Sequence, residues 1–327
     1  MSAERRVVVT DATFPDVAAE REAAERGGAA FVRAACDDAA DVAEAVEGAS
    51  VAVVQFAPLG REAIARLAPD ATVIRYGVGY DNLDLAALDE HGVNAAYVPD
   101  YCTDEVADHT ATCALALMRK LVPLDASVRR GEWSAVGVAA PMRPFADTVV
   151  GFVGFGRIAR GVAARLRPFG MRFLVHDPFL DDDPAGDVRR AAMDELLAAS
   201  DCVSLHAPST EATRGMIDAA ALGAMKPTAV LVNTARGDLV DEGALARALA
   251  DGAIAGAALD VFAGEPLDPH SPLHDAPNLL QSPHAAWYSD AAVERLQGMV
   301  ADEIGRALEG APPRRPVPGT RAARAAS

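Results

Sequence analysis

The chain has 327 residues, of which 47 are acidic and 30 are basic, so its formal net charge is −17 at pH 7. A surface this negative repels phosphate backbones, which argues against nucleic acid as a partner. No apolar stretch reaches the roughly 18–20 residues of a membrane span, and the amino terminus lacks an apolar signal segment. We therefore predict a cytoplasmic protein without a membrane partner.

Lysine is scarce, because Lys120 and Lys226 are the only lysines and the remaining basic residues are arginine. We interpret the acidic, lysine-poor composition as an adaptation to high salt; a GC-rich genome is the alternative explanation. The four cysteines are scattered along the chain at Cys36, Cys102, Cys113 and Cys202. This spacing predicts neither a disulfide framework nor a zinc site, and we expect no metal.

The first hundred residues alternate short apolar runs with stretches rich in Ala and Glu. The strand-like runs are RRVVVT, AAFVRA, SVAVVQF, ATVIRYG and VNAAYVP, and the helical stretches are FPDVAAEREAAERG, DDAADVAEAVEGA and GREAIARLAP. Continuous apolar strands separated by helices are typical of a parallel sheet covered on both faces. The sequence therefore predicts a first α/β unit.

A second unit follows a predicted helix from about Asp104 to Lys120 and an irregular region that contains GEWSAV and PMRPFAD. Its alternating series begins at DTVVGFVGFG and continues through MRFLVHD, CVSLHAP, AVLVNTARG and IAGAALDVF. A last helix, from about Asp290 to Glu309, is expected to pack back on the first unit.

The predicted fold class is α/β, with two doubly wound parallel-sheet domains of the Rossmann-like or flavodoxin-like kind. We assign residues 1–103 and 291–327 to one discontinuous domain and residues 104–290 to the other. The tail from about residue 311 is rich in Pro and Ala and has no apolar period, so we predict that it is disordered.

A glycine-rich turn follows the first strand of the second unit. In TVVGFVGFGRIARGVAARL, Gly154, Gly156 and Ala159 have the spacing G-x-G-x-x-A between a strand and a helix. Gly154 allows a tight turn, Gly156 lets the backbone approach a pyrophosphate, and the helix amino terminus offers N–H donors to phosphate. The pattern alone is weak, but in this setting it predicts a dinucleotide-binding domain.

Asp177 ends the next predicted strand, 21 residues after Gly156. A carboxylate at this point can bind both ribose hydroxyls of NAD, and the following PFLDDD adds three acids and no arginine. A ribose phosphate would meet only negative charge, so we predict NAD in preference to NADP. The alternative is an aspartate that only caps the strand.

Three polar residues follow later strands of the same domain: Arg236 in LVNTARGDLVDE, Glu265 in AALDVFAGEPL and His284 in NLLQSPHAAW. Reduction of a 2-oxo acid requires a guanidinium for the carboxylate or carbonyl and a proton donor that titrates near neutral pH. A neighbouring carboxylate would stabilise and orient that donor. We predict Arg236, His284 and Glu265 in these roles, although each singly could be a structural residue.

These segments resemble the D-isomer-specific 2-hydroxyacid dehydrogenase family in five motifs that occur in the family's order. The motifs are GFVGFGRIA, DCVSLHAPSTEATRGMID, LVNTARGDLVDEGALARAL, GAALDVFAGEPL and NLLQSPHAAW. The resemblance implies an NAD-dependent oxidoreductase that interconverts a 2-oxo acid and a D-2-hydroxy acid in a cleft between two domains. It makes Arg236, Glu265 and His284 the catalytic residues.

The resemblance also implies cofactor-binding residues, with Asp260 as the acid at the nicotinamide carboxamide. The implied set is Gly154, Gly156, Arg157, Ile158, Asp177, His206, Pro208, Thr213, Thr234, Ala235 and Asp260. In the first unit, RYGVGYDNLDLAALDEHGVNAAYVP resembles the family's substrate turn, which makes Val78 and Gly79 backbone donors to the substrate carboxylate. A purely structural glycine turn is the alternative.

Trp287 follows the predicted catalytic histidine in DAPNLLQSPHAAWYS. This stretch resembles the C-terminal-binding-protein branch of the family, whose members combine the dehydrogenase fold with co-repressor function in animals. There the tryptophan lies against the substrate's side chain, which implies a substrate with an apolar or thioether side chain. The alternative is a tryptophan that only packs against the hinge.

Other functions stay open at this point. A phosphoglycerate dehydrogenase is less favoured, because no arginine cluster in the first unit is obviously placed for a phosphate. Glyoxylate or hydroxypyruvate reduction is a second enzymatic alternative, and an NADH-sensing, co-repressor-like interaction protein is one of another class. By resemblance we also expect a homodimer formed through the dinucleotide domains, with the helix near Asp104 to Lys120 as a contact.

Overall fold

The computed structural model describes residues 5–180 and 186–326. The chain divides into two compact units, one formed by Met1–Tyr101 with Ser289–Ser327 and one formed by Cys102–Tyr288. The boundaries proposed from the sequence, after residues 103 and 290, stand two residues beyond these bounds. Each unit is built on a parallel sheet, so the predicted fold class of two parallel-sheet α/β domains is confirmed.

The first unit has five parallel strands in the order β2-β1-β3-β4-β5. The strands are β1 (Arg6–Val9), β2 (Ala30–Arg33), β3 (Val51–Val54), β4 (Thr72–Arg75) and β5 (Asn94–Tyr97). The connecting helices are α1 (Ala18–Arg26), α2 (Ala39–Ala45), α3 (Arg61–Ala65) and α4 (Leu85–Glu90). The central strand β3 is buried along its whole length, which explains its run of consecutive apolar residues.

The second unit has seven parallel strands in the order β12-β11-β10-β9-β6-β7-β8. They are β6 (Val149–Val153), β7 (Arg172–His176), β8 (Val188–Arg190), β9 (Cys202–Leu205), β10 (Val230–Asn233), β11 (Gly256–Leu259) and β12 (Leu279–Gln281). The strand order reverses between β6 and β9. In open sheets of this kind ligands bind beyond the carboxyl ends of the strands at such a reversal.

Seven helices of the second unit lie in the described part of the chain. They are α5 (Thr103–Met118), α6 (Leu121–Arg129), α7 (Ala135–Ala139), α8 (Arg157–Leu166), α9 (Met193–Ala199), α10 (Ala219–Ala224) and α11 (Glu242–Ala250). The chain then returns to the first unit with α12 (Asp290–Leu308) and α13 (Arg321–Ala326). Helix α12 packs against α1.

The prediction of a disordered tail from about residue 311 is wrong for the described residues. Pro316 bridges Ala96 on β5, and the Val317 amide donates to the Ala95 carbonyl at 2.9 Å. Val317 and Thr320 are fully buried. The prediction failed because two buried side chains are too few to give an apolar periodicity in the sequence. The segment is ordered by its contact with a strand more than 200 residues earlier in the chain.

Two further segments differ from the sequence-based expectation. The region predicted as irregular after α5 contains the helices α6 and α7, and Ser134 caps α7 by accepting from the Gly137 amide. Strand β8 is a short edge strand that pairs in parallel with β7 and that we did not predict. Its sequence, VRR, is too short and too charged to give an apolar pattern.

Candidate active site

The carboxyl ends of the parallel strands in the second unit lie at one edge of the sheet. The strand registers align Val153, Leu205, Asn233 and Leu259 near that edge. The site residues that the sequence predicted in this unit lie in the first turn of α8 and on the segments that follow β6, β7, β9, β10, β11 and β12. A cavity of about 470 Å³ lies instead at the amino-terminal ends of the strands, beside Val149, and none of the predicted site residues lines it.

The glycine-rich turn connects β6 to α8. Gly154 has a φ of +86°, and a Cβ there would lie 2.9 Å from the carbonyl carbon of His206, so a side chain would push β6 and β9 apart. Gly156 precedes the first residue of α8, and a Cβ on it would meet no described atom within 4 Å. The space beside Gly156, at the helix amino terminus, is therefore open.

Helix α8 presents its amino terminus to that space without a side-chain cap at Gly156. Arg157 is exposed, Ile158 is half-buried, and Ala159 is fully buried against the sheet. Uncapped backbone N–H groups and an exposed arginine suit a pyrophosphate. The residues present thus fit the phosphates of a dinucleotide.

Asp177 follows β7 and faces the same turn. Its Oδ2 accepts from the Phe155 amide at 2.9 Å, and its Oδ1 accepts from the Phe179 amide at 2.9 Å. These bonds hold a half-buried carboxylate beside the glycine turn, where a ribose would lie. The three acids that supported the preference for NAD, at positions 181–183, lie outside the described residues.

The segment after β9 is fixed by two polar contacts. The Nε2 of His206 lies 2.8 Å from the Ser204 Oγ, and desolvation lowers the pKa of His206 to about 3, so its ring is neutral. The Thr213 Oγ1 donates to the Pro208 carbonyl at 2.7 Å, which closes the loop. The predicted cofactor residues His206, Pro208 and Thr213 therefore belong to one ordered loop.

Arg236 lies in a turn that Asn233 organises from the end of β10. The buried Asn233 side chain donates from Nδ2 to the Arg236 carbonyl at 2.8 Å and accepts the Ala235 amide on Oδ1 at 3.0 Å. The Thr234 and Thr110 hydroxyls are 2.7 Å apart, which fixes this turn to α5. Arg236 remains half-buried, with its Nη1 donating to the Ala235 carbonyl at 2.6 Å.

Gly237 brings the arginine turn against the loop that carries Glu265. A Cβ on Gly237 would lie only 1.8 Å from the carbonyl carbon of Phe262, so the two backbones touch. The Glu242 side chain also accepts from the Ala263 amide at 2.7 Å and ties the same two segments together. Because Gly237 has no side chain, the two segments that carry Arg236 and Glu265 can lie in contact.

Glu265 and His284 form a direct hydrogen-bonded pair. The Glu265 Oε2 lies 2.7 Å from the His284 Nδ1, and its Oε1 accepts from the Phe262 amide at 3.0 Å. Burial alone would raise the pKa of Glu265, but the hydrogen bond and charge of His284, the Phe262 amide and the charge of Arg236 together lower it. An ionised carboxylate therefore faces the imidazole.

The loop of His284 is held by a polar network that the sequence did not reveal. Asp260, only 2 % exposed, accepts from the Ala285 and Ala286 amides at 2.8 and 2.9 Å and from the Ser282 hydroxyl. The Nε2 of His109 on α5 lies 3.2 Å from the Ser282 Oγ.

His284 itself has a φ of +51°, so a residue without glycine's freedom is kept in the left-handed region by these contacts. The resemblance implied only a cofactor role for Asp260, whereas its carboxylate also anchors this loop. Ser282 lies within the motif NLLQSPHAAW, but nothing in the sequence predicted its contact with His109.

Trp287 is half-buried after this loop, and its ring lies edge-on to that of Tyr288 with centroids 5.7 Å apart. In the first unit, Val78 and Gly79 follow β4 in a turn and are half-buried. The turn begins at Gly77, whose φ of +139° requires glycine. The structure thus places these two residues in a partly exposed turn at the carboxyl end of their own sheet.

Other features bear on the predicted chemistry. Of the four cysteines, Cys36, Cys102 and Cys202 are buried and Cys113 is half-buried. Among the described residues no group of three or more His, Cys, Asp or Glu side chains is placed to hold a metal ion. No helix in residues 5–180 and 186–326 is both long and apolar enough to cross a membrane.

Comparisons with known proteins bear on the family to which the chain belongs. The sequence profile described as "D-isomer specific 2-hydroxyacid dehydrogenase, NAD binding domain" matches residues 111–286. Glycerate dehydrogenase from Methylorubrum extorquens is 35% identical over 279 residues, which are 83% of this chain and 87% of that protein. Glyoxylate reductase from Korarchaeum cryptofilum is 40% identical over 236 residues, or 71% of each chain.

Among solved structures, the TT0316 protein from Thermus thermophilus is 34% identical with a TM-score of 0.84. The match covers 95% of this chain and 99% of that one. The reaction class predicted from the motifs, NAD-dependent interconversion of 2-oxo and 2-hydroxy acids, is thereby confirmed. The chain belongs to the D-isomer specific 2-hydroxyacid dehydrogenase family.

Proposed function

We propose that this enzyme reduces a 2-oxo acid to a D-2-hydroxy acid, with His284 as the general acid, Arg236 as the substrate-binding cation and Glu265 as the partner of the histidine. The observation that carries the proposal is the 2.7 Å contact between the His284 Nδ1 and the Glu265 Oε2, beside a turn that carries Arg236. The carboxylate stabilises a protonated ring, and Nε2 is the nitrogen that Glu265 does not contact.

Each residue then has one chemical task. NADH, when bound, supplies the hydride to the carbonyl carbon. His284 donates the proton to the carbonyl oxygen as negative charge develops there, and the ring is left neutral. The guanidinium of Arg236 donates hydrogen bonds to the substrate's carboxylate or carbonyl, and Glu265 orients the ring through Nδ1. The reverse reaction uses the neutral ring as the base.

We propose that the cofactor is NAD rather than NADP. The support is the carboxylate of Asp177, which the Phe155 amide holds beside the glycine turn and which would repel a ribose phosphate. The remaining residues of the implied cofactor set lie on the loops after β6, β9, β10 and β11 and in the first turn of α8. The ratio of kcat/KM for NADH to kcat/KM for NADPH tests this preference. In Asp177→Ala this ratio should fall at least tenfold.

For the substrate, we propose an apolar or thioether side chain and a relationship to the C-terminal-binding-protein branch. The support is Trp287, a large half-buried ring three residues after His284. A second candidate is a small polar substrate, because the similar proteins include a glycerate dehydrogenase and a glyoxylate reductase. Val78 and Gly79 are proposed as backbone donors to the carboxylate in either case.

NADH oxidation with a panel of 2-oxo acids tests these proposals. The panel runs from glyoxylate and hydroxypyruvate through pyruvate to branched, aromatic and thioether side chains, at low and high salt. Trp287→Ala should raise KM about tenfold for substrates with long side chains and leave KM for glyoxylate unchanged. Equal effects on short and long substrates would reject the side-chain role, and absence of turnover on every 2-oxo acid would reject the enzymatic proposal itself.

We propose a homodimer, with the contact on α6 and α7 rather than on α5. Helix α5 buries its alanines against α8, whereas the next segment exposes the large apolar side chains of Leu121, Val122, Val128, Trp133 and Val136. Trp133 is 92 % exposed in the single chain. Trp133→Glu should shift the mass in light scattering to that of a monomer, whereas Met299→Glu, on an exposed apolar side chain of the first unit, should not.

Two proposals concern the conditions in which the enzyme works. A reducing, cytoplasmic location is supported by the scattered positions of the four cysteines in the sequence, whose spacing predicts no disulfide framework. The net charge of −17 supports adaptation to high salt. An enzyme whose activity and melting temperature rise from about 0.1 to about 2 M KCl would agree with that adaptation, and a flat response would contradict it.

A further inference from the structure

A buried pair of ionisable side chains, Glu20 and Tyr76, lies in the first unit, and Tyr76 precedes the proposed substrate turn in the chain. Tyr76 follows β4, and its hydroxyl donates a short hydrogen bond to the Oε1 of Glu20 on α1. Tyr76 is 1 % exposed and Glu20 is 0 % exposed. The Tyr76 ring also lies edge-on to Phe14, with centroids 5.2 Å apart.

This carboxyl is held at a cost. The second oxygen of Glu20, Oε2, is buried and has no hydrogen-bond partner in residues 5–180 and 186–326. Burial raises the pKa of Glu20, as does the charge of Asp16, whereas Tyr76 and Arg33 act in the opposite direction. The guanidinium of Arg33 donates its hydrogen bonds to backbone carbonyls such as that of Phe14. An unmatched buried carboxyl oxygen is unfavourable, so the position is poorly explained by core packing alone.

The hydroxyl of Tyr76 has one more polar neighbour, the side chain of Gln297 on α12. The residues that face the pair are therefore Asp16 before α1, Arg33 on β2 and Gln297 on α12, of which only the first two are charged. Both charges act on Glu20 less strongly than the hydrogen bond from Tyr76 does. The side-chain hydrogen bond to the Oε1 of Glu20 comes from Tyr76.

Tyr76 controls the entry to the turn that contains Val78 and Gly79. Its amide donates to the Val54 carbonyl at 2.8 Å, and its own carbonyl accepts from the Arg75 Nη1 at 2.7 Å. Gly77 follows with a φ of +139° and has no side chain to fix its direction. The Tyr76 ring is thus the last fully buried side chain before the turn.

We propose that the Glu20–Tyr76 pair positions the Val78 and Gly79 N–H groups for the substrate carboxylate. The pair fixes the tyrosine ring, the ring fixes the backbone at the start of the turn, and the turn then presents its amides in one direction. This inference rests on the proposed function, because it assigns the turn to the substrate. Tyr76 and Glu20 are positioning residues and touch no reacting atom.

The test measures substrate affinity in Tyr76→Phe, which keeps the ring and removes the hydroxyl. We expect KM for the best 2-oxo acid to rise about tenfold, as for loss of one buried hydrogen bond, with kcat changed less than about twofold. The inhibition constant of oxamate, an unreactive 2-oxo acid analogue, should rise by the same factor. The Kd of NADH should not change, since the glycine-rich turn belongs to the other unit.

Three further variants separate positioning from general damage. Tyr97→Phe, on the neighbouring strand β5, keeps a half-buried ring and removes only its hydroxyl, so it should keep the wild-type KM. Glu20→Gln retains an acceptor for the Tyr76 hydroxyl and should stay within about twofold of wild type, whereas Glu20→Leu should resemble Tyr76→Phe. If Tyr76→Phe does not fold, the two Glu20 variants carry the comparison.

The outcomes distinguish this inference from the proposed function. A folded Tyr76→Phe, or failing that a Glu20→Leu, with wild-type KM and oxamate affinity would overturn the positioning role while the enzyme still turned over. Without turnover in the wild type, the proposed function fails; the positioning role then survives only if oxamate binds the NADH complex and Tyr76→Phe weakens it. Failure of oxamate to bind the wild type would overturn it.

Discussion

The two units hold their functional residues in different ways. In the second unit two of the three predicted catalytic groups are supported within their own motif: Asn233 binds the Arg236 carbonyl, and the Phe262 amide binds Glu265. The loop of His284 is held by Asp260 from the neighbouring motif. In the first unit the glycine turn is reached through Tyr76, whose partner Glu20 lies 56 residues away. A contact between residues close in the chain produces a recognisable sequence motif. A contact between residues far apart in the chain, such as Glu20 and Tyr76, produces none.

The strongest test of this contrast is His284→Gln, at the centre of the well-marked site. Glutamine keeps polarity but cannot deliver a proton, so kcat should fall about a thousandfold while the Kd of NADH stays within about threefold. Steady-state rates and NADH fluorescence titration measure the two quantities. His274→Gln, on an exposed turn near Asp268, is the matched control and should be fully active. A His284→Gln enzyme with more than a tenth of wild-type kcat would mean that another group donates the proton.

Gly237→Ala tests whether the second unit depends on local backbone contact. The new Cβ would lie 1.8 Å from the Phe262 carbonyl carbon, so the loops must separate. We expect a loss of about 3 kcal/mol in the free energy of unfolding and at least a tenfold loss of kcat. Urea denaturation and initial rates measure both. Gly243→Ala, in α11, has no neighbour closer than 3.4 Å and should be neutral or slightly stabilising.

Glu265→Gln tests the electrostatic part of the same site. His284, the Phe262 amide and Arg236 outweigh burial and lower the pKa of Glu265, so the carboxylate is ionised throughout the neutral range. Glutamine keeps an acceptor for the His284 Nδ1 but removes the negative charge, so kcat/KM for reduction should fall about tenfold at pH 7 while the Kd of NADH stays unchanged. An unchanged kcat/KM would show that Glu265 orients the ring through its hydrogen bond alone.

The smallest expected effect is on the first unit, in Glu20→Gln. Burial raises the pKa of Glu20, so the protonated form is the one that the fold favours. Stability from this group is complete below its unfolded pKa and is lost as pH rises through the raised folded value. Glutamine imitates the protonated form, so the variant should melt a few degrees higher than wild type at about pH 8 and at the same temperature at about pH 4. A constant difference at all pH values would mean that Glu20 does not titrate with unfolding.

Much of the fold follows from local pattern. The buried strands of both sheets are runs such as VAVV at β3 and VLVN at β10, and apolar β-branched residues in such runs form strands wherever both faces are covered. The segments that escaped prediction have no such pattern. Strand β8 is charged, and the ordered tail depends on Val317 entering a core made by residues far from it in the chain.

By itself, the sequence determined the α/β class, and it predicted the dinucleotide turn at Gly154 and Gly156 and the site residues Arg236, Glu265 and His284. These depend on residues adjacent in the chain, where spacing alone constrains geometry. The tertiary structure decided which distant groups support them: His109 behind Ser282, and Glu20 beneath Tyr76. The physical reason is that a hydrogen bond between elements depends on how helices pack on the sheet, and that packing is set by the whole core rather than by any local run of residues.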